Sequence, residues 1–141
     1  MTMKVLVPRL AISAMVGSLL SSNPAGTQIL PPAQKAERIE IAKGPEVELS
    51  KPHLTIIRWT TNNPGGSDVH YGVVHYGEDA RNLDQTAKNP IRLNQRHPDT
   101  TFRVRLQNLK PGTTYYYTVT SLESGGRSDN VKTDVQQFTT P

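Results

Sequence analysis

Hydrophobic and polar residues alternate with a period of two along most of the chain from Arg38 onward. Successive side chains of a β-strand point to opposite faces, so this period indicates strands with one buried and one exposed face. The segments that show it are RIEIAK, LTIIRWTT, VHYGVVHYG, TFRVRLQNL and YYYTVTSL, and VKTDVQQFTT closes the chain. No stretch of a dozen residues shows a helical period, so the pattern predicts an all-β protein.

Turn-forming residues separate the predicted strands. The segments NNPGGSD, KPG and ESGGRSDN are rich in glycine, proline, asparagine and aspartate, which favour tight turns. The polar segment GEDARNLDQTAKNP contains Pro90, and we predict a loop there. About seven short strands in roughly a hundred residues are typical of an immunoglobulin-like sandwich of two antiparallel sheets.

Three consecutive tyrosines follow the KPG turn, in the segment LKPGTTYYYTV at residues 109–119. In a strand, Tyr115 and Tyr117 lie on one face and Tyr116 lies on the other. The three rings therefore do not form one binding cluster. We predict that Tyr115 and Tyr117 are part of the core and that Tyr116 lies outside.

The same segment resembles the E–F corner of fibronectin type III domains, in which a leucine precedes a Pro-Gly turn and a tyrosine. The resemblance implies that Leu109 closes one end of the core and that Pro111 and Gly112 turn the chain between sheets. It also implies that Tyr115 is the corner tyrosine, with a buried ring and a hydroxyl bonded to the backbone upstream. The expected fold is thus a fibronectin type III sandwich.

A longer set of motifs is similar to the fibronectin-like N-terminal domain of purple acid phosphatases. The set is GPEVE, IIRWTT, VHYG, LKPGTTYYYTV and FTTP, and it covers about residues 38–141. It implies that Trp59 is the core tryptophan of the second strand. Enzymes of that family continue into a metallophosphatase domain with GDxG and GNHE motifs. Neither motif occurs in this sequence, so the resemblance implies no phosphatase activity.

The beginning of the chain differs in composition from the rest. Lys4 and Arg9 accompany an apolar run from Leu10 to Leu20, which small and polar residues follow. This order is typical of a secretory signal, and the run is shorter than the roughly 20 residues of a membrane span. We predict a signal at residues 1–26, a linker at 27–37 and the fibronectin type III-like domain at 38–141. An uncleaved anchor and an ordinary helix or tail are the alternatives.

This division predicts a secreted, periplasmic or cell-surface protein with no stable membrane span after signal cleavage. The chain has no cysteine, which excludes disulfides and thiolate metal sites. The 16 basic and 12 acidic residues give a net charge of +4, with no block of five like charges. We therefore expect no nucleic-acid partner.

The histidines do not suggest a metal site, and we expect no cofactor. His70 and His75 are five residues apart on a strand and face opposite sides, whereas His53 and His97 lie in predicted loops. All four are expected to be exposed polar residues. No nucleophile elbow occurs, and no motif places a serine beside a histidine, so we predict that the chain is not an enzyme.

Two outer faces and one loop are candidate contact surfaces. The loop is GGRSDN, at the position of an integrin-binding tripeptide in some fibronectin domains, but its residue order differs and a soluble hairpin is expected. A basic face on the segments LTIIRWTT and TFRVRLQNL would contain Arg38, Arg58, Arg103 and Arg105, neutralised in part by nearby acids. The outer face of the segments VHYGVVHYG and YYYTVTSL would present the predicted binding residues Val73, His75 and Tyr116.

The leading hypothesis is an exported, non-enzymatic binding module that contacts a protein or a cell-surface polymer. One alternative is a structural spacer, or an accessory domain for a separately encoded enzyme. Another is a carbohydrate-binding module, which would need several aligned aromatic rings. The sequence offers Tyr116 and Tyr71 for that purpose.

Overall fold

The computed structural model of the protein describes Gly26 and residues 36–141. The predicted signal and most of the predicted linker lie outside these residues. The described part forms seven strands: β1 Ile41–Lys51, β2 Leu54–Asn62, β3 Val69–Gly77, β4 Gln85–Arg92, β5 Asp99–Gln107, β6 Thr114–Glu123 and β7 Gln136–Thr139. No helix long and apolar enough to cross a membrane is found in the described residues. The prediction of an all-β sandwich is confirmed.

The strands form two antiparallel sheets. A three-stranded sheet has the order β1-β2-β5, and a four-stranded sheet has the order β4-β3-β6-β7. Strands β2 and β5 pair without interruption, whereas the pairing of β1 with β2 contains several register shifts. β3 and β6 are the inner strands of the four-stranded sheet.

The prediction of a loop around Pro90 was wrong, because these residues form strand β4. Proline lacks a backbone N–H and interrupts an inner strand, but it is tolerated where a strand has a free edge. β4 lies at the edge of its sheet and pairs with β3 alone among the described strands. Its polar composition reflects that exposed position.

The core lies between the sheets and is built from alternate residues of each strand. The rings of Trp59 and Phe102 stack with their centroids 5.2 Å apart. Gly72 lies opposite them on β3, where an added Cβ would come within 2.9 Å of the Trp59 ring. The other core residues are Ile57, Val74, Tyr76, Val104, Leu106, Leu109, Tyr115, Tyr117, Val119 and Phe138.

The chain between β5 and β6 forms the corner that the sequence resembles. Leu109 is buried in the core, and Gly112 has a φ of +56°, a conformation that glycine adopts without strain. Tyr115 is buried, and its hydroxyl accepts a hydrogen bond from the Lys110 N–H at 3.0 Å. The buried Tyr117 ring lies beside it on the same face, and burial raises the pKa of its phenol.

One side chain links the two sheets at the edge formed by β4 and β5. Asn89 of β4 accepts a hydrogen bond from the Arg105 N–H of β5 through its Oδ1, at 3.0 Å. A strand edge carries backbone groups that no neighbouring strand satisfies. The Asn89 amide satisfies one of them and holds the two sheets together at this edge.

Candidate functional site

The predicted binding residues lie on β3 and β6 of the four-stranded sheet. An added Cβ on Gly72 would meet the side chains of Trp59, Phe102 and Val104, so Gly72 faces the core. By strand alternation, its neighbours Val73 and His75 belong to the outer face. The buried Tyr115 and Tyr117 likewise leave Tyr116 on the outer face of β6.

Val73 does not contribute to an exposed patch, and the sequence prediction was wrong in this respect. It is 3% exposed. In the sheet it lies between Lys88 of β4 and Thr120 of β6. The Lys88 ammonium lies 4.1 Å from the centre of the Tyr71 ring, so the lysine side chain runs along the sheet from beside Val73. A small side chain on the outer face of an inner strand has neighbours on both sides, and here the long Lys88 side chain adds to its burial.

His75 and Tyr116 are both half-buried on the outer face. His75 Nδ1 is hydrogen-bonded to Thr86 Oγ1 of β4 at 3.2 Å. Tyr116 lies further toward the E–F corner, in register with Gly77 of β3 and Gln137 of β7. The two side chains are therefore on the same face, but they do not share one depression of the surface.

A groove of about 630 Å³ crosses this face next to His75. We call it the outer groove. One wall comes from the β3–β4 connection, and the floor comes from β3 and β6. The other wall comes from the chain that precedes β7. The lining residues that matter below are Arg81, Leu83, His75, Thr118, Thr120, Val131, Lys132 and Val135.

The second wall exists because the chain that follows β6 does not pair with it as a regular strand until β7 begins. β7 pairs with β6 only from Thr114 to Tyr117. Residues 127–135, which we call the wall segment, run beside the rest of β6 without forming a regular ladder. Three hydrogen bonds hold them there: Glu123 N–H to Arg127 O at 2.8 Å, Asp129 N–H to Ser121 O at 3.0 Å, and Val119 N–H to Thr133 Oγ1 at 3.1 Å.

The outer groove combines apolar and cationic groups. Val135 is 45% exposed, and among the described residues it is the large hydrophobic side chain that remains exposed. Arg81 and Lys132 also line the groove, and its described lining contains no carboxylate. Arg81 lies 3.8 Å from the Asp79 carboxylate, with most of its side chain exposed. The groove can therefore contact an apolar group and an anionic group at the same time.

A larger depression of about 870 Å³ lies between the start of β1 and residues 128–136. Its lining includes the anions Glu37, Glu40 and Asp134, and the cations Arg38 and Lys132. Side chains of both charges lie there among main-chain atoms. This mixture selects no particular chemistry, so we regard the smaller outer groove as the better candidate site.

A buried polar cluster lies on the inner side of the same sheet, and the sequence reasoning missed it. His70 is fully buried, which corrects the expectation that all four histidines are exposed. Its Nδ1 lies 3.0 Å from Asp129 Oδ2, and the Ser121 hydroxyl donates to the same oxygen at 2.8 Å. The available sequence signal was the position of His70, which is an inward-facing strand position occupied by a histidine and not by an apolar residue.

The cluster contains the residue types of a hydrolase triad without its arrangement. In a triad, the histidine lies between the serine and the carboxylate and takes the serine proton. Here Asp129 lies between Ser121 and His70, and all three side chains are buried. The serine oxygen has neither a base to activate it nor access to a substrate. The arrangement supports packing rather than acyl transfer.

Burial of Asp129 also rules out the adhesion motif considered for GGRSDN. Asp129 is 5% exposed, because its carboxylate is held by His70 and Ser121. An acidic side chain must be free at the tip of a loop to contact an external receptor. Arg127 and Ser128 are exposed, but the aspartate of this loop is used inside the protein.

The basic face expected on the three-stranded sheet is largely paired with acids of β1. Arg58 contacts Glu46 and Glu48, and Arg103 donates to Glu48 Oε2 at 2.8 Å. The hydrogen bond from Arg58 lowers the pKa of Glu46, and the hydrogen bond from Arg103 lowers that of Glu48. Arg105 lies on the same face without a carboxylate partner among the described ion pairs.

No group of three histidine or acidic residues suited to a metal ion occurs in the part of the chain that the structure describes.

Comparison with known proteins places the chain in a family. The model described as "Purple acid Phosphatase, N-terminal domain" matches residues 45–140. The chain also resembles two solved structures of the sensor domain of the anti-sigma factor RsgI4 from Pseudobacteroides cellulosolvens, each 19% identical. One covers 72% of this chain and 88% of that chain with a TM-score of 0.49, and the other covers 73% and 74% with a TM-score of 0.47. No curated protein matches the chain.

The family match agrees with the motifs quoted from the sequence. It includes the second-strand tryptophan, the E–F corner and the first three residues of the closing FTTP segment. It spans more than half of the chain, and the part of the enzyme that it represents is the non-catalytic, fibronectin-like domain. The resemblance drawn from the sequence is confirmed, and the chain belongs to the purple acid phosphatase N-terminal domain family.

Proposed function

We propose that the chain is a non-enzymatic binding module whose outer groove takes an extended segment of a partner protein. The observation that carries this proposal is Val135, a large apolar side chain that is 45% exposed within a groove. Exposed apolar groups gathered in a depression with polar edges are a common feature of protein contact sites. A partner that covered Val135 would remove this surface from water.

The chemistry of the groove indicates the kind of segment that fits. Leu83, Val131 and Val135 offer apolar contacts, and Arg81 and Lys132 offer positive charge. With no carboxylate in its described lining, the groove favours a segment that has apolar side chains and at least one carboxylate. The floor follows strand β6, which suits an extended peptide whose alternate side chains point toward the floor of the groove.

The buried cluster supports the non-enzymatic part of the proposal. Ser121, His70 and Asp129 are the residues that most resemble catalytic groups, and they are enclosed in the domain. The groups that line the outer groove are apolar, cationic, hydroxyl and amide side chains, together with the half-buried His75. They can contact a partner through apolar, charged and hydrogen-bonding groups.

Export is a further part of the proposal and rests on the sequence. Lys4 and Arg9 accompany the apolar run from Leu10 to Leu20, in the order of a secretory signal. An exported module would meet its partner outside the cytoplasm, in the periplasm, at the cell surface or in the medium. The absence of cysteine is compatible with either side of the membrane.

Selection of peptides displayed on phage against the immobilised full chain tests the groove. We expect enrichment of peptides with alternating apolar residues and at least one aspartate or glutamate. The affinity of the enriched peptides should fall about tenfold or more with Val135→Asp, which places a like charge beside the peptide carboxylate. Lys132→Glu should act in the same direction.

Two further variants locate the contact. Arg105→Glu changes an exposed charge on the opposite sheet and should leave the affinity unchanged. Tyr116→Ala tests the patch predicted from the sequence, since Tyr116 lies on the same face but outside the groove. Peptides whose binding follows Arg105, or a selection without enrichment of acidic and apolar peptides, would contradict the proposal.

A further inference from the structure

Strand β7 lies at the end of the four-stranded sheet and pairs with β6 alone among the described strands. Directly after it, the Thr140 N–H donates to the Thr113 carbonyl oxygen at 3.0 Å, so Thr140 faces the β6 side. The main-chain groups of successive residues in an antiparallel strand point alternately to its two sides. Phe138 therefore also faces β6, whereas the N–H and C=O groups of Gln137 and Thr139 point away from it.

This free edge of β7 is open to solvent. Gln137, Thr139 and the preceding Val135 are exposed. The depression of about 870 Å³ separates the chain that leads into the edge, residues 128–136, from the start of β1. Within the described part of the chain, no strand pairs with this side of β7. An unpaired edge of this kind is a template for a further strand.

The other edge strands carry features that oppose such pairing. β4 contains Lys88, Pro90 and Arg92, β5 contains Arg103 and Arg105, and β1 has several register shifts in its pairing with β2. Charges, prolines and bulges are common means by which proteins keep sheet edges from pairing with one another. Residues 135–139, with the sequence VQQFT, contain neither a charge nor a proline, and β7 pairs with β6 without a register shift.

We propose that the free edge of β7 is a self-association site, at which the β7 strand of a second copy of this chain pairs with it in antiparallel orientation. Pairing centred on Gln137 places that residue opposite its own counterpart. It also places Val135 of each copy opposite Thr139 of the other. A glutamine amide has both donors and an acceptor, so two facing glutamines can bond to each other. The segment is therefore complementary to itself.

The distribution of charge favours this edge for a second copy. In antiparallel self-pairing, each residue faces itself or a residue a few positions away. Self-pairing of β5 would bring Arg103 and Arg105 of the two copies together, and like charges directly opposite each other destabilise a strand pair. Near Gln137 the closest charged residue in sequence is Asp134, which in this register faces the uncharged Thr140.

The paired copies would form one continuous sheet. The two-fold axis of such a pair is perpendicular to the sheet, so both outer grooves lie on the same side. A short edge provides only about six main-chain hydrogen bonds, so we expect a weak, concentration-dependent dimer. The pairing uses main-chain groups at the edge of β7 and does not depend on the proposed function of the groove.

Sedimentation equilibrium of the full chain at concentrations up to about 1 mM tests the association. Gln137→Lys and Gln137→Glu should each raise the dimer dissociation constant about tenfold or more, because like charges then face each other across the axis. An equimolar mixture of the two variants should associate again, because opposite charges then meet. Arg105→Glu changes a charge on the other sheet and should leave the dissociation constant unchanged.

Amide hydrogen exchange identifies the edge that pairs. Protection of the Gln137 and Thr139 amides should rise with protein concentration, because these amides gain acceptors in the second copy. The Phe138 amide faces β6 in both states and should not change. The Arg103 amide faces the open edge of β5 and provides the control. Protection that rises at Arg103 instead would place the contact on the wrong edge and overturn the proposal.

The remaining outcomes are equally decisive. A chain that stays monomeric up to about 1 mM, or that associates equally as wild type and as Gln137→Lys, would overturn the proposal. A mixture of the Gln137→Lys and Gln137→Glu chains that stays monomeric would show that Gln137 does not lie on the axis.

The same measurements separate this site from the proposed function. If the dimer forms as expected but no acidic peptide binds the outer groove, the self-association site stands and the proposed function fails. If acidic peptides bind a chain that remains monomeric, the proposed function stands and the self-association site is wrong.

Discussion

At the scale of single residues, the Tyr115 hydroxyl satisfies a backbone group that the E–F corner would otherwise leave unbonded. It accepts the Lys110 N–H at 3.0 Å, and its ring is buried against Phe138. Tyr115→Phe keeps the ring and leaves that N–H without its acceptor, so we expect a loss on the order of 1–3 kcal/mol in the free energy of unfolding. Urea unfolding measures this loss.

A neighbouring residue provides the control for this measurement. Tyr116→Phe removes the same hydroxyl from the outer face of the same strand, where the side chain is half-buried. We expect a change within about 0.5 kcal/mol, as for most surface substitutions. Equal unfolding curves for Tyr115→Phe and the wild type would show that the corner does not depend on this hydrogen bond.

At the scale of strands, the link between β4 and β5 depends on one amide. Asn89→Ala removes the acceptor of the Arg105 N–H at the open edge of the sandwich. We expect a loss of about 0.5–1.5 kcal/mol in stability and faster hydrogen exchange at Arg105. Asn89→Asp retains an acceptor oxygen and should keep the Arg105 amide protected. Unchanged exchange in Asn89→Ala would mean that the two strands are held by packing alone.

The strands that the sequence predicted well are those with one apolar face. β2, β5 and β6 bury alternate residues, so their periodicity is visible without any knowledge of their neighbours. β4 was not predicted because it has no fully buried residue and contains Pro90. Its strand conformation comes from pairing with β3, which is a tertiary effect that local propensity does not contain.

The candidate site was predictable from the sequence only as far as the alternation of residues along single strands determines it. Alternation correctly assigned His75 and Tyr116 to the outer face of their sheet, and it says nothing about how far neighbours cover Val73. The wall segment and the His70–Asp129 pair depend on contacts between distant positions. His70 and Asp129 are separated by 59 residues, and they meet because β3 pairs with β6 and Asp129 is hydrogen-bonded to Ser121 of β6.

At the scale of the whole molecule, the proposed export predicts a shorter mature chain. Residues 1–26 have the composition of a signal, so cleavage by a signal peptidase should expose a new N-terminus between about Ser21 and Gln28. Mass spectrometry of the protein isolated from its native cells locates that terminus. An intact Met1 in the cytosolic fraction would contradict export.

The single tryptophan gives the protein an intrinsic optical probe of its core. Trp59 is 1% exposed, and its indole N–H has no hydrogen-bond partner among the described residues. An indole in such apolar surroundings should fluoresce at the short-wavelength end of its range, and contact with water on unfolding should shift the emission to longer wavelengths. The outer groove lies on the far side of the opposing sheet. The emission should therefore report loss of the sandwich and remain unchanged when a peptide binds in the outer groove.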